Sequence, residues 1–322
     1  MIEETHYDTV HNFLDFYQSF KQSNAKNLRR FFQKYVPPVN RRHHMCVSLG
    51  MEIISRISDV YPEIAELFYL VSCEEAVEDV PGYVEHCEEQ QIEIAAFSLE
   101  KEHALVAMKI NVAGRDGMLI LDPGYHVARA VTVMQDHVYP HTGWFTQSDE
   151  PACKREYSYV FNEDSDSFIE WRERTMRAGK QKLETSLVYV ERPYMTAIDV
   201  TVRRNLVYNF RSLLSRDGKG RVCAGIYFPI ALNPADAHFT IFYDTANGQS
   251  VKSKQLFSIL ADATRIPASV MQHLECLAPQ LRFELDDLMA LLKLAADCMS
   301  DFDFVKQLLH INNDIGEMSA DN

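Results

Sequence analysis

Apolar residues recur at helical spacing near the start of the chain and predict helices there. Residues 7–35 show this spacing and stop before Pro37 and Pro38, which cannot continue a helix. A second helix is predicted from about Cys46 to Val60, where apolar residues again recur every three or four positions. The N-terminal region is therefore expected to be helical, with a cysteine at the start of its second helix.

The middle of the chain has the composition of β-strands. His103 to Val112 predicts one strand, Gly114 to Gly117 a turn, and Met118 to Leu121 a second strand, which together make a β-hairpin. Further strands are predicted in "REYSYVF", "TSLVYVE", "LVYNFRSLLS", "VCAGIYFPIAL" and "HFTIFYD". One amphipathic helix, "SFIEWRERTMRAG", is predicted among them.

From residue 254 onward the pattern returns to helical spacing, most clearly in "KQLFSILADATRI" and "ELDDLMALLKLAADCM". The order of helices, antiparallel strands and helices predicts an α+β fold. We expect three consecutive parts: a helical region at 1–90 that carries the cysteine, an antiparallel β region at 91–250, and a helical region at 251–322.

The net charge limits the kinds of molecule that the protein is expected to bind. A formal charge of −14 argues against a nucleic-acid binder, which needs basic side chains to neutralise phosphates. The short basic segments "NAKNLRR" and "NRRHH" are expected to be solvated, with a site for an anionic ligand as the alternative. No apolar run approaches a membrane span, and "MIEETHYD" lacks the apolar core of a signal peptide. We therefore expect a cytoplasmic protein that contacts neither nucleic acid nor membrane.

The seven cysteines are odd in number and form no Cys-x-x-Cys pair, so neither a disulfide framework nor a four-thiolate zinc site is expected. A metal site would have to use His43, His44, Cys46 and His141, which do not fall at a recurring ligand spacing. We therefore predict no metal ligands and expect the thiols to be reduced.

Three residues together suggest nucleophilic catalysis. Cys46 lies at the start of a predicted helix, His103 opens one strand of the hairpin, and Asp122 follows the other strand. Because the turn lies near the midpoint between them, the two strands bring His103 and Asp122 together. A helix N-terminus favours a thiolate, a histidine accepts the thiol proton, and a carboxylate orients that histidine. This combination serves acyl transfer through a thioester.

Each of these residues alone has a commoner explanation. A cysteine on a helix is most often a small buried side chain, and an aspartate before Pro-Gly is most often a turn former. A histidine at a strand end is usually a satisfied strand residue or a surface group. The joint order of the three residues and the hairpin that connects two of them make the catalytic interpretation the favoured one.

The residues around His103 and Asp122 point to a family. "HALVAMKI" followed by "LILDPGYHV" resembles the arylamine N-acetyltransferases, in which the aspartate is followed by a small residue, glycine and an aromatic residue, as in Asp122–Tyr125. The resemblance implies N-terminal helices, a β-barrel-like region and a C-terminal lid. The order of Cys, His and Asp is also that of transglutaminase-like and papain-like folds. The family usually carries Arg-Gly-Gly before the cysteine, whereas this chain has "RHHMC", so a divergent member is implied.

The favoured function is a cysteine-dependent acyltransferase that moves an acyl group from a thioester donor to an amine or hydroxyl acceptor. The resemblance implies a coenzyme A thioester as co-substrate and no tightly bound cofactor. Tyr125, Trp144 and Phe145 are predicted to line the acceptor pocket. Two alternatives stay open. One is a transglutaminase-like enzyme or cysteine peptidase with the same triad, and the other is an inactive scaffold that meets a protein partner through its acidic surface.

Overall fold

The structure is a computed structural model that describes residues 1–39, 45–89, 103–150, 152–194, 198–260 and 266–320. The helices are α1 (Val10–Gln22), α2 (Leu28–Lys34), α3 (Cys46–Val60), α4 (Pro62–Ala65), α5 (Val80–Glu89), α6 (Ile198–Val207), α7 (Ala268–Leu277), α8 (Leu285–Ser300) and α9 (Phe302–Ala320). The strands are β1 (Tyr7–Asp8), β2 (Tyr69–Glu74), β3 (His103–Val112), β4 (Arg115–Leu121), β5 (Val131–Met134), β6 (Phe145–Glu150), β7 (Cys153–Phe161), β8 (Phe168–Arg177), β9 (Lys180–Tyr189), β10 (Phe210–Arg216), β11 (Val222–Pro229), β12 (His238–Asp244) and β13 (Ser250–Leu256).

The chain forms two compact units that interleave along the sequence. The first unit comprises Met1–Ile2, Met45–Val202 and Gly218–Arg221, and the second comprises Glu3–His44, Arg203–Asp217 and Val222–Asn322. The sequence predicted three consecutive parts instead. The grouping differs because the N-terminal helix α1 buries its apolar face in the same core as the C-terminal helices α8 and α9.

The first unit is built on an eight-stranded antiparallel sheet with the order β5-β4-β3-β2-β9-β8-β7-β6. Its main core combines alternate side chains of strands from both halves of the sheet, including Val71, Leu105, Ile120, Tyr159 and Trp171. Residues from such distant strands share one core because the sheet curls into a half-barrel. An antiparallel, barrel-like region was predicted from the sequence and its resemblance, and the curled sheet agrees with that prediction.

The second unit holds a five-stranded antiparallel sheet with the order β1-β10-β11-β12-β13. Helices α1, α2, α7, α8 and α9 contribute apolar side chains to its core, together with the inner faces of the central strands. None of the helices in the described parts of the chain is both long enough and apolar enough to cross a membrane.

Local patterns predicted several elements correctly. The helix expected from about Cys46 to Val60 is α3, and the expected hairpin is formed by β3 and β4. Ala113 and Gly114 make its turn at φ 54° and 84°, the left-handed region that a tight connection requires. The strand after the turn begins earlier than predicted, at Arg115.

Two helical predictions were wrong, and a third was right only in part. The segment "SFIEWRERTMRAG" forms strand β8, in which Trp171 and Ile169 enter the core while Glu170 pairs with Arg172. The segment "KQLFSILADATRI" forms the end of β13 and a short 3-10 turn, and residues 261–265 lie outside the described residues. Residues 7–35 form β1, α1 and α2 rather than one helix, with Asn24 at φ 55° after α1. In each case strand pairing or backbone conformation overrides a spacing that also suits a helix.

Arg211 is a buried cation that stabilises the second unit. Its side chain is 0% exposed, lies over the ring of Phe13 at 4.4 Å, and donates hydrogen bonds to the carbonyl oxygens of Asn205, Leu206 and Tyr208. These carbonyls belong to the C-terminal end of α6, where the helix dipole favours a positive charge. The guanidinium therefore replaces the missing helical donors at that end.

We expect Arg211→Met to lower the free energy of unfolding by about 3 kcal/mol, because it leaves buried carbonyls without donors. Thermal unfolding followed by circular dichroism measures the change. Arg30→Met, at an exposed position of α2, is the matched control and should leave the midpoint nearly unchanged. Equal midpoints for the two variants would contradict the role assigned to Arg211.

Candidate active site

Cys46 is the first residue of α3. Met45 precedes it in an extended conformation, with φ −85° and ψ −179°, and its carbonyl oxygen accepts the hydrogen bond from Leu49 N that closes the first helical turn. Val47 and Leu49 are fully buried and fix the start of the helix against the first unit. The first turn contains no acidic residue, so the positive end of the helix dipole is left to act on the thiol group.

His103 and Asp122 meet as the hairpin predicted. His103 begins β3, Asp122 follows the last residue of β4, and the register pairs Val106 with Leu121. His103 Nε2 lies 3.0 Å from Asp122 Oδ1, and the two side chains are only 3% and 1% exposed. A buried imidazole and carboxylate at this distance form a strong, charge-assisted hydrogen bond.

Cys46 lies close to the histidine ring, because both residues border the space beside Gly124. Since Nε2 is engaged by Asp122, Nδ1 is the ring nitrogen that is left available to the thiol. Burial lowers the pKa of His103, but the charge and hydrogen bond of Asp122, followed by those of Cys46, outweigh it and raise the pKa well above 6.5. The arrangement favours a protonated imidazole that is paired with a carboxylate and lies close to Cys46.

Gly124 lets these groups approach closely. A Cβ atom at this position would lie 2.7 Å from His103 Cε1 and 3.0 Å from Cys46 Cβ. Cβ atoms in proteins essentially never lie as close as 2.7 Å to another heavy atom, so any residue larger than glycine must displace a buried neighbour. The backbone after Asp122 is therefore part of the wall that holds the cysteine and the histidine together.

Hydrogen bonds on three sides fix the Asp122 segment. The backbone N–H of Tyr125 donates to Asp122 Oδ1 at 3.0 Å, and the backbone N–H of Val127 donates to the carbonyl oxygen of Asp122 at 3.1 Å. The hydroxyl of Tyr159, on β7, donates to Asp122 Oδ2 at 3.4 Å. The carboxylate is thus oriented by its own turn and by a distant strand.

The three predicted pocket residues have different surroundings. The ring of Tyr125 meets that of His103 edge to face at 4.5 Å, so this residue borders the triad. Phe145 packs with Tyr157 and Tyr159 at ring distances of 6.2 and 6.5 Å. Trp144 is 41% exposed and its ring lies 4.1 Å from the Arg174 guanidinium. The substrate-binding role of all three stays a prediction.

Sequence reasoning missed several residues near the triad. Trp171 lies 6.4 Å from His103 between ring centroids, and Tyr159 reaches Asp122. Tyr194 shares a small buried cluster with Cys46, and its hydroxyl lies 2.9 Å from that of Thr201. Trp171 was hidden by the wrong helical prediction for β8. Tyr159 and Tyr194 had no local signal, because their contacts depend on how distant segments pack.

The residues weighed for a metal site do not converge in the described part of the chain. His43 and His44 lie outside the described residues, and the Nδ1 atom of His141 accepts a hydrogen bond from Met134 N at 3.1 Å. Across the described residues no group of three or more His, Cys, Asp or Glu side chains is arranged to hold a metal ion.

Comparison with known proteins gives a loose likeness to a solved structure. No protein-family model matches the chain, and no curated protein is significantly similar to it. Among solved structures, the arylamine N-acetyltransferase from Mycobacterium abscessus is 11% identical, with a TM-score of 0.38 over 91% of this chain and 84% of that chain. A TM-score of this size leaves the function to be argued from the geometry of the site itself.

Proposed function

We propose that the protein is a cysteine-dependent acyltransferase in which Cys46 is the nucleophile, His103 the proton carrier and Asp122 the residue that orients His103. One observation carries the proposal: a cysteine at a helix N-terminus lies close to a buried histidine whose Nε2 atom lies 3.0 Å from a carboxylate oxygen. The helix dipole and the imidazolium both favour a thiolate. The contact between Cys46 and His103 also argues against an inert scaffold, for which no such pairing would be needed.

The residues support a two-stage reaction. The Cys46 thiolate attacks the carbonyl carbon of a thioester donor, and the tetrahedral intermediate collapses as the bond to the donor sulfur breaks. His103 gives its proton to the departing thiolate, which leaves a Cys46 thioester and a neutral imidazole. An amine or hydroxyl acceptor then attacks this thioester while His103 takes its proton. The acylated acceptor leaves, and the thiolate and imidazolium are restored.

Backbone N–H groups at the start of α3 lie beside the reacting carbon in this scheme. They and the helix dipole would stabilise the oxyanion of each tetrahedral intermediate. Tyr125 and Phe145 would supply aromatic walls for a small acceptor. The donor proposed is a coenzyme A thioester that binds as co-substrate, and no tightly bound cofactor takes part in the reaction.

Acyl loading of the purified chain tests the proposal directly. Incubation with acetyl-coenzyme A should add one acetyl group to the peptide that contains Cys46, as detected by mass spectrometry. The loaded protein should then release the group to an added arylamine, and Cys46→Ser should block loading from a thioester. Cys276→Ser, at an exposed cysteine, is the matched control and should load normally.

The same experiment separates the alternatives. Cleavage of peptides, or transfer from peptide glutamine to an amine, without loading by small thioesters would favour the transglutaminase-like or peptidase function. Failure of every donor class to modify Cys46, in a protein that is folded, would contradict the acyltransferase proposal.

A further inference from the structure

The two oxygen atoms of Asp122 are held by different partners. Oδ1 lies 3.0 Å from both His103 Nε2 and Tyr125 N, whereas Oδ2 accepts the hydroxyl proton of Tyr159 at 3.4 Å. A carboxylate held only through one oxygen can rotate about its terminal bond, whose rotamer preference is broad. A donor on the second oxygen restricts that rotation and keeps Oδ1 directed at His103 Nε2.

We propose that Tyr159 is a positioning residue, whose hydroxyl fixes the Asp122 carboxylate so that Asp122 in turn fixes His103 beside Cys46. This inference rests on the proposed function for its catalytic meaning, but the contact that it concerns is independent of any substrate.

The contact exists only because the sheet curls. Tyr159 lies on β7 and Asp122 follows β4, and five strand-to-strand steps separate these strands in the sheet order. At the usual strand spacing, a flat sheet would place them about 24 Å apart. The hydroxyl therefore connects the carboxylate to the opposite half of the curled sheet, and the geometry of the triad depends on that closure.

The ring and the hydroxyl of Tyr159 have separable roles. The ring is 1% exposed and lies nearly parallel to those of Trp171 and Phe145, with interplanar angles of 7° in both pairs, so it belongs to the core. Burial, followed by the charge of Asp122, raises the pKa of Tyr159 well above its usual value of 10.0. The phenol therefore keeps its proton at neutral pH and acts as a donor to the carboxylate.

Tyr159→Phe removes only the hydroxyl and keeps the ring. Tyr157→Phe is the matched control, because Tyr157 is also buried, lies two positions away on β7, and lies opposite Glu173 in the strand register. The first measurement is the exchange of the His103 Nε2 proton with water, followed by NMR of protein with 15N-labelled histidine. We expect Tyr159→Phe to speed this exchange about five-fold, which is the worth of one ordinary hydrogen bond, and Tyr157→Phe to leave it unchanged.

The second measurement is the rate at which iodoacetamide alkylates Cys46 near neutral pH, followed by peptide mass spectrometry. Tyr159→Phe should slow it about five-fold, again relative to Tyr157→Phe. Unchanged proton exchange in Tyr159→Phe, or equal changes in the two variants, would overturn the inference. If Cys46 of the wild type reacts like an ordinary thiol, the proposed function fails instead, and the proton exchange alone decides the role of Tyr159.

Discussion

Replacing His103 by alanine is expected to slow the alkylation of Cys46 at about pH 6 by roughly a hundred-fold, because the cationic neighbour that favours the reactive thiolate is removed. The reason is that the His103 ring carries a proton, and therefore a positive charge, close to Cys46. Asp122 and Cys46 together raise the pKa of His103 well above 6.5, so the ring of the folded protein holds a proton beside the sulfur under acidic conditions. That positive charge favours the thiolate, which is the form that reacts with iodoacetamide.

The difference in alkylation rate between the wild type and His103→Ala should depend on pH. The pKa of His103 is raised well above 6.5, so its positive charge is kept as pH falls below neutral, and the wild type should keep its rate advantage over His103→Ala there. As pH rises through the raised pKa of His103 the imidazolium charge is lost, so the rates of the wild type and of His103→Ala should converge. Acyl loading behaves differently, because it should fall as pH rises through the raised pKa of His103 and the proton for the leaving thiolate is lost.

Two controls make this measurement specific. The exposed Cys276 is a reference thiol within the same molecule and should be unaffected by His103→Ala. His137→Ala removes an exposed histidine from the first unit and should leave Cys46 as in the wild type. A wild-type Cys46 that follows the same pH curve as Cys276 would contradict the pairing with His103.

Sequence patterns predicted those parts of the site that local structure determines. The start of α3 at Cys46 follows from helical spacing, and the meeting of His103 and Asp122 follows from the two strands of one hairpin. The contact of Cys46 with this pair was inferred from chemistry rather than from local geometry. It depends on how α3 packs on β3, which no short segment of the sequence encodes.

The remaining parts of the site depend on long-range packing. Tyr159 reaches Asp122 only across the curled sheet, and Trp171 joins the same core because β8 pairs with β7 and β9. The segment that contains Trp171 was predicted as a helix, since its large apolar residues also recur at helical spacing. Pairing with two neighbouring strands decides the outcome there, and pairing partners are not visible in a single sequence.

The second large effect is expected at Gly124, where alanine should reduce both the alkylation of Cys46 near neutral pH and any acyl transfer by about a hundred-fold or more. The added Cβ would lie 2.7 Å from His103 Cε1 and 3.0 Å from Cys46 Cβ. Neither neighbour can move freely, because His103 is held by Asp122 and Cys46 by the first turn of α3. The clash must therefore separate the sulfur atom from the imidazole or shift the turn that carries Asp122.

Gly124→Ala keeps Cys46, His103 and Asp122 in the chain. It therefore tests the effect of displacing these side chains separately from the effect of removing one of them. Overpacking of this kind costs about 1 to 3 kcal/mol of stability, so thermal unfolding should show a lower midpoint in a protein that still folds. Gly316→Ala is the matched control, because a Cβ there meets no atom within 4 Å. It should keep the wild-type alkylation rate at Cys46, and Cys276 should react normally in both variants. A Gly124→Ala protein whose Cys46 reacts as fast as in the wild type would show that the close approach of Cys46 and His103 does not control the reactivity of the thiol.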